Sequence, residues 1–334
     1  MSFNPAALAD EVNAEAQVDE AHAATGRGGL VLRRFLRNKG AIVGLVVVAL
    51  MFVGAFGSSL FYQWDYVTPD FNALLAPPST AHWFGTTQDG QDMFALCMRG
   101  LQKSLIIGLV GGVLTTAVAA VVGAVAGFYG GWADRVLSWF VDLFLVLPSF
   151  LMLSILSPWF KGQTWEILIP LIAAFAWMIT ARVVRAQTLT LQGREFVSAA
   201  RFMGVPGWRI ILRHILPNIA SLLIIDAVLN VAGSVMAEVG LSFFGFGIQP
   251  PDVSLGSLID VGQQDLSAYQ WQLIFPCGCL IVLLLAVNAI GDGLRDALDP
   301  TSTGAKKRAS QAEIEALINE AEAPRGPVPE VVET

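Results

Sequence analysis

Residues 40–64 contain no charged side chain, and neither do residues 104–133. Runs of that length cannot lie on a surface facing water, and a helix crosses ~30 Å of hydrocarbon in about 20 residues. The whole chain follows suit, with 14% charged residues against 54% hydrophobic and a mean hydropathy of +0.61. Soluble domains carry about 25% charged residues. Lipid is therefore the solvent, and the question becomes how many times the chain crosses it.

Six windows are long and apolar enough. They are Ala41–Tyr62, Ser104–Ala133, Val136–Pro158 (interrupted only by Asp142), Trp165–Thr188, Asn218–Glu238 and Trp271–Gly291. Arg182 and Arg185 fall near the end of the fourth, placed to snorkel outward. An even number of spans puts both termini on one side. With that side cytoplasmic, seventeen of the Lys and Arg residues lie inside and only Arg99, Lys103 and Lys161 outside. The positive-inside rule selects this orientation, and the expected location is a bacterial inner membrane.

The acidic stretch 1–30 lacks a signal peptide's apolar core and is expected to be disordered and cytoplasmic. Residues 31–62 form a basic lead-in and the first span, 63–100 an outer loop, and 101–300 a core carrying spans two to six. That core includes an inner loop at 189–217 and an outer one at 241–270. Residues 301–334 form a tail, also expected to be disordered. The outer connections carry Asp65, Asp70, Asp89, Asp92, Asp252, Asp260 and Asp265, which suits either a docking surface for an external partner or a solvated cap.

No GxxxxGK[ST] phosphate loop occurs, so ATP hydrolysis would need another polypeptide. His22, His82 and His214 are scattered, and Cys97, Cys277 and Cys279 have no metal-ligand spacing, so no catalytic or metal site is expected. No basic patch fits a nucleic acid.

The inner loop is not linker-like. Phe196, Ala199, Ala200 and Met203 recur at i, i+3, i+4 and i+7, one face of a short amphipathic helix. Gly204 closes it, being the residue that tolerates the left-handed C-terminal position. Pro206-Gly207 makes a turn, Trp208, Ile211, Leu212 and Ile215 repeat the spacing, and Pro217 leads into the fifth span. Two short helices at the inner surface follow. They suit a helix lying on anionic lipid or a lever that another protein grips.

The run Glu195-Phe-Val-Ser-Ala-Ala-Arg-Phe-Met-Gly204, continuing to Ile215-Leu-Pro-Asn218, resembles the EAA loop of ABC-importer permeases. Ser198 stands where that loop's glutamate is. His82-Trp-Phe-Gly-Thr86, Asp89-Gly-Gln-Asp92, Phe128-Tyr-Gly-Gly-Trp132, Asp142 with Pro148, Glu238 to Gly245, Gly247 to Pro251 and Gly291 to Pro300 are similar to segments of dipeptide and oligopeptide permeases. Gln91 replaces the usual Arg of the second of these. The ending resembles the C-type subunit of the permease pair. The resemblance implies an all-α membrane bundle of six spans, of the type I ABC-importer permease fold, with cytoplasmic coupling helices. Glu195, Ser198, Ala199, Ala200, Arg201 and Gly204 would meet the ATPase.

It also implies partners: a second, B-type permease, two cytoplasmic ATPase subunits or domains, and an external binding protein. The cargo would be small peptides, with nickel complexes or haem as the alternative within the family. This chain would bind no cofactor, ATP and Mg being held by the ATPases. The rival class is a stand-alone secondary transporter or channel, and no inverted repeat speaks for it.

Polar residues inside a span are costly and mark pathways or paired contacts. Asp226, Asn230, Ser234 and Glu238 form one stripe on the fifth span. They suit either the wall of a translocation cavity or hydrogen bonds to a neighbouring helix. Asp142 is expected to find a partner near the inner surface, and Asn288 to bond between helices. Gly123 and Gly127, at GxxxG spacing, suit close packing within the chain or against a second permease.

Overall fold

The structure, a computed structural model, describes residues 27–160, 165–264 and 266–298. The expectations for residues 1–26 and 301–334 fall outside the described residues. These are helical apart from turns, loops and one isolated antiparallel bridge, Thr86 to Asp92. The chain divides into a large unit, Asn38–Leu294, and a small one containing residues 27–37 and 295–298 of the described chain. The small unit holds α1 (Arg27–Phe35), whose last turn carries Arg33 and Arg34, the charge that suits a helix C-terminus.

The large unit opens with α2 (Lys39–Phe61), capped by Asn38 accepting from the Ala41 N–H at 3.2 Å. It continues with α3 (Met93–Tyr129), α4 (Gly131–Val146), α5 (Ser149–Leu156), α6 (Leu168–Ala176) and α7 (Met178–Gln192). Next come the short α8 (Glu195–Phe202), α9 (Gly207–Ile210) and α10 (Leu216–Asn218). The last are α11 (Ala220–Phe243), α12 (Leu255–Gln264) and α13 (Trp271–Leu298), whose final turn belongs to the small unit. Helices α2, α3, α11 and α13 are each long and apolar enough to cross a membrane.

The third and fourth spans are not the unbroken helices that Val136–Pro158 and Trp165–Thr188 suggest. Residues 131–146 and 149–160 meet at 84°, and 165–176 and 178–192 meet at 51°. Counting each bent pair as one crossing gives six. The first break follows from Pro148, which pushes its predecessor out of the helical region. Leu147 is accordingly extended, at φ −76° and ψ 126°. The second falls at Trp177, whose indole N–H donates to the Ala174 carbonyl at 3.0 Å.

Helix α3 is the axis of the large unit. Its 37 residues span ~55 Å at 1.5 Å per residue, almost twice the hydrocarbon thickness. It starts eleven residues before the charge-free window, because Asp92 caps it by accepting from the Ala95 N–H at 2.8 Å. The loop after α2 therefore ends at residue 92 rather than 100. Small residues let α7 and α11 close on α3. A Cβ on Gly123 would sit 2.4 Å from the Ala181 carbonyl, and one on Gly112 2.6 Å from the Val231 nitrogen. The GxxxG pair thus serves α3–α7 packing inside this chain. By contrast α2 leaves Val43, Leu50, Val53 and Leu60 outward, as lipid requires.

Candidate functional site

The two helices foreseen around Gly204 form as an elbow. Gly204 has φ +73°, its N–H bonds the Arg201 carbonyl at 2.9 Å, and the Val205 N–H bonds the Ala200 carbonyl at 3.1 Å. Those two bonds make a Schellman closure with glycine at the left-handed position. After α9 the chain takes a π-helical turn at Ile211–Ile215 before Pro217, the kind of widened turn that recurs at functional sites.

The elbow's buried face takes in only part of the periodic set. Val197, Ala200, Ile210, Ile211, Ile215 and Ile219 pack with Ala124, Phe128 and Val184 into one cluster. Phe196, Ala199 and Met203 lie on the outside of α8, and Trp208 and Leu212 are likewise exposed. Phe202, which the spacing did not single out, is 93% exposed and Met203 74%. Of the coupling candidates, Glu195, Ala199 and Gly204 are exposed, Ser198 is half-buried, and Ala200 is interior.

Arg201 turns back onto α3. Its guanidinium lies 4.5 Å above the Phe128 ring and donates to the Phe128 carbonyl at 3.4 Å. Gln192, at the end of α7, donates to the same carbonyl at 2.8 Å. A Cβ on Gly207 would meet the Phe128 ring at 2.8 Å and the Tyr129 hydroxyl at 2.9 Å. The elbow is therefore fixed to the last turn of the central helix, by charge, hydrogen bonds and ring contact together.

The stripe on α11 faces α3. Asp226 accepts from Thr116 at 2.7 Å, from Thr180 at 2.8 Å and from Asn230 at 2.7 Å. Asn230 also donates to Thr116 at 3.1 Å. This half-buried cluster joins α3, α7 and α11. Ser234 is buried, 3.1 Å from where a Cβ on Gly111 would stand. Glu238 is fully buried and accepts from Ser104 at 3.2 Å and Ser242 at 2.7 Å. Within this chain all four make helix-to-helix contacts. The foreseen partner of Asp142 is Arg182, and Arg185 forks onto Asp134 with one bond at 2.7 Å. These arginines pair rather than simply snorkel. Asn288 is exposed and bonds its own helix, to the Leu284 carbonyl at 2.8 Å, so it is not interhelical.

At the other end of α3 the motif His82 to Asp92 folds into a cap. Asp92 accepts from the Tyr62 hydroxyl at 2.8 Å, and His82 Nδ1 lies 2.8 Å from the same oxygen. His82 Nε2 is 3.4 Å from Asp70, and Gln91 donates to the Tyr66 carbonyl at 3.1 Å. Burial, helped by the Asp92 bond, raises the Tyr62 hydroxyl well above the ordinary phenol range. The segment between α11 and α12 is tied to α3 through Asp252, which meets Arg99 at 2.7 Å and Lys103 at 3.0 Å.

A family model described as the binding-protein-dependent transport system inner membrane component matches residues 119–303. One described as the N-terminal TM domain of oligopeptide transport permease C matches 27–78. The chain is 51% identical, over 84% of its length and 97% of the relative's, to the oligopeptide transport system permease protein OppC of Mycobacterium tuberculosis strain H37Rv. It is 38% identical to the Haemophilus influenzae protein of that name, over 80% of this chain and 86% of that one. A putative peptide permease protein of Brucella suis is also 38% identical, over 83% and 92%. Among solved structures, the MetNI methionine ABC transporter in an inward-facing conformation matches with a TM-score of 0.50 at 21% identity. That match covers 62% of this chain and 98% of the solved one, and it shows a shared fold.

Proposed function

This chain belongs to the binding-protein-dependent transport system inner membrane component family, and from that premise we propose that it is one half of the membrane pathway of an ATP-driven importer of small peptides. The relatives' names support the peptide cargo. The other parts are a second, B-type permease, an external binding protein that delivers peptide, and two ABC ATPases that hold ATP and Mg. The charge count supports placing both termini and the elbow in the cytoplasm.

The observation that carries the mechanism is the elbow: large apolar side chains exposed on α8 and α9, on a scaffold clamped to Phe128. An ATPase groove covering Phe202, Met203 and Trp208 would grip a body that cannot move without α3. Closure of the ATPases then displaces the end of a ~55 Å rod, and packed helices shift as units rather than bending. Asp226 and Asn230, bridging α3, α7 and α11, hold those three helices in one moving group. Glu195, Ser198, Ala199 and Gly204 supply the small and acidic surface around the apolar anchors.

Reconstitution with each component withheld in turn tests this. Concentrative uptake is expected only when both permeases, the ATPases and the binding protein are present. Accumulation by this chain alone, driven by protons or sodium, would replace the importer with a secondary transporter.

A further inference from the structure

Besides the stripe on α11, the bent spans carry charged groups of their own. Asp142 on α4 and Arg182 on α7 form an ion pair whose side chains remain 61% and 57% exposed. Asp142 lies eleven residues beyond the start of α4 and Arg182 ten before the end of α7. At 1.5 Å per residue both stand about 15 Å from those helix ends, inside the two bent pairs that count as spans. Trp139, Phe140 and Leu143 on the same helix are exposed apolar residues, which lipid accepts. An open ion pair within a span is different. A charged residue in hydrocarbon costs about 2.5–3.5 kcal/mol even on the most lenient scale.

The pair edges a cavity of about 290 Å³ between α3, α4 and α7, lined also by Val122, Ser138, Val141 and Arg185. That is near the lower end of the range for small-molecule sites. Arg185 is held bidentately by Asp134, so its charge is already answered. Arg182 meets Asp142 through one nitrogen and one oxygen, leaving the rest of the guanidinium and the second carboxylate oxygen open to other partners.

Resting on the peptide-importer reading, we propose that this cavity is a stretch of the aqueous pathway wall, where the charged ends of a passing peptide exchange with the Asp142–Arg182 pair. The carboxylate of such a peptide matches the guanidinium fork, and its ammonium matches Asp142. Because the pair satisfies itself when no peptide is present, the wall stays neutral between passages. Binding there is an exchange of ion pairs, weak enough to let the cargo leave.

The test uses the complete importer in liposomes, with Cys97, Cys277 and Cys279 replaced by alanine and one cysteine returned at a time. Val122→Cys on α3 and Ser138→Cys on α4 both line the cavity. Both should react with a water-soluble thiol reagent. Trialanine at about four times its Kd should slow that reaction about fivefold by occupancy. Trialanine acetylated and amidated at its ends should not slow it.

Failure of both cysteines to react, or reaction indifferent to trialanine, would overturn the proposal, as would equal protection by the blocked peptide. Because such variants can misassemble, vesicles of the wild-type importer are assayed alongside with wild-type uptake of labelled trialanine in competition with the blocked peptide. The blocked peptide should compete at least about tenfold less well, and equal competition would overturn the proposal. Absence of any trialanine uptake by wild-type vesicles would instead sink the importer reading beneath it.

Discussion

The two ends of α3 are built on opposite principles. At one end Tyr62, His82 and Asp92 are buried polar groups that satisfy one another, and Asp92 caps the helix as well. At the other, Arg201 and Gln192 fasten the elbow to Phe128, while Phe202, Met203 and Trp208 stand in the open. A buried polar group without its partner costs more than the bond contributes, so the cap is complete in itself and intolerant of loss. Exposed aromatic and thioether side chains held on a rigid scaffold are the composition of an interface. The cap is built to keep the chain folded, and the elbow, on the function proposed above, is built to be covered by another protein.

The largest expected effect lies at the elbow. Phe202→Asp combined with Trp208→Asp should cut uptake by at least about a hundredfold, since interface anchors are worth 2 kcal/mol or more each. The thermal midpoint of the isolated chain should hardly move, as surface changes cost within about 0.5 kcal/mol. A midpoint loss equal to that of a core substitution would break the comparison.

Asp92→Ala should do the reverse. Losing the cap and leaving Tyr62 and His82 without their acceptor should cost about 2–4 kcal/mol of stability, read by thermal unfolding in detergent. ATPase docking should be unchanged in those molecules that remain folded.

Gly204 sharpens the contrast because its Cβ would meet nothing within 4 Å. Only its positive φ is at stake, worth about 1–2 kcal/mol to an ordinary residue. Gly204→Val should uncouple ATP hydrolysis from uptake, whereas Gly204→Asn, which tolerates that backbone region, should keep most of it. Equal loss in both would mean that surface shape, not backbone geometry, matters there. The smallest effect belongs to Thr116→Val, which removes one donor to Asp226 and should cost about 1 kcal/mol. Its effect on uptake should be smaller than that of Asp226→Leu, which strands Thr116, Thr180 and Asn230 together.

What the sequence made legible were features that repeat locally or depend on bulk composition. The apolar windows gave α2, α3 from residue 104 onward, α11 and α13, and Gly204 with Pro206-Gly207 gave the elbow. The bend at Leu147 was signalled by Pro148, but the break at Trp177 had no such mark. On α8 the spacing picked out Phe196, Ala199 and Met203, which are exposed, and left the inward-packed Val197 unmarked. Periodicity reports which residues share a side, and a helix with a partner outside has apolar residues on both sides. Val197 and Ala200 therefore went inward while Phe196, Phe202 and Met203 stayed out. The Asp226 cluster was half legible, as a stripe. Its partners Thr116 and Thr180 lie 110 and 46 residues away in sequence, and only the packing of α3 and α7 brings them together.

The most direct test of the elbow as an ATPase grip is site-specific photocrosslinking in the complete importer within its membrane. A photoreactive amino acid at Phe202 or Trp208 should capture an ATPase subunit, with a yield that changes when ATP is bound. Capture of phospholipid at both positions, with or without ATP, would make the elbow an interfacial helix and contradict the account.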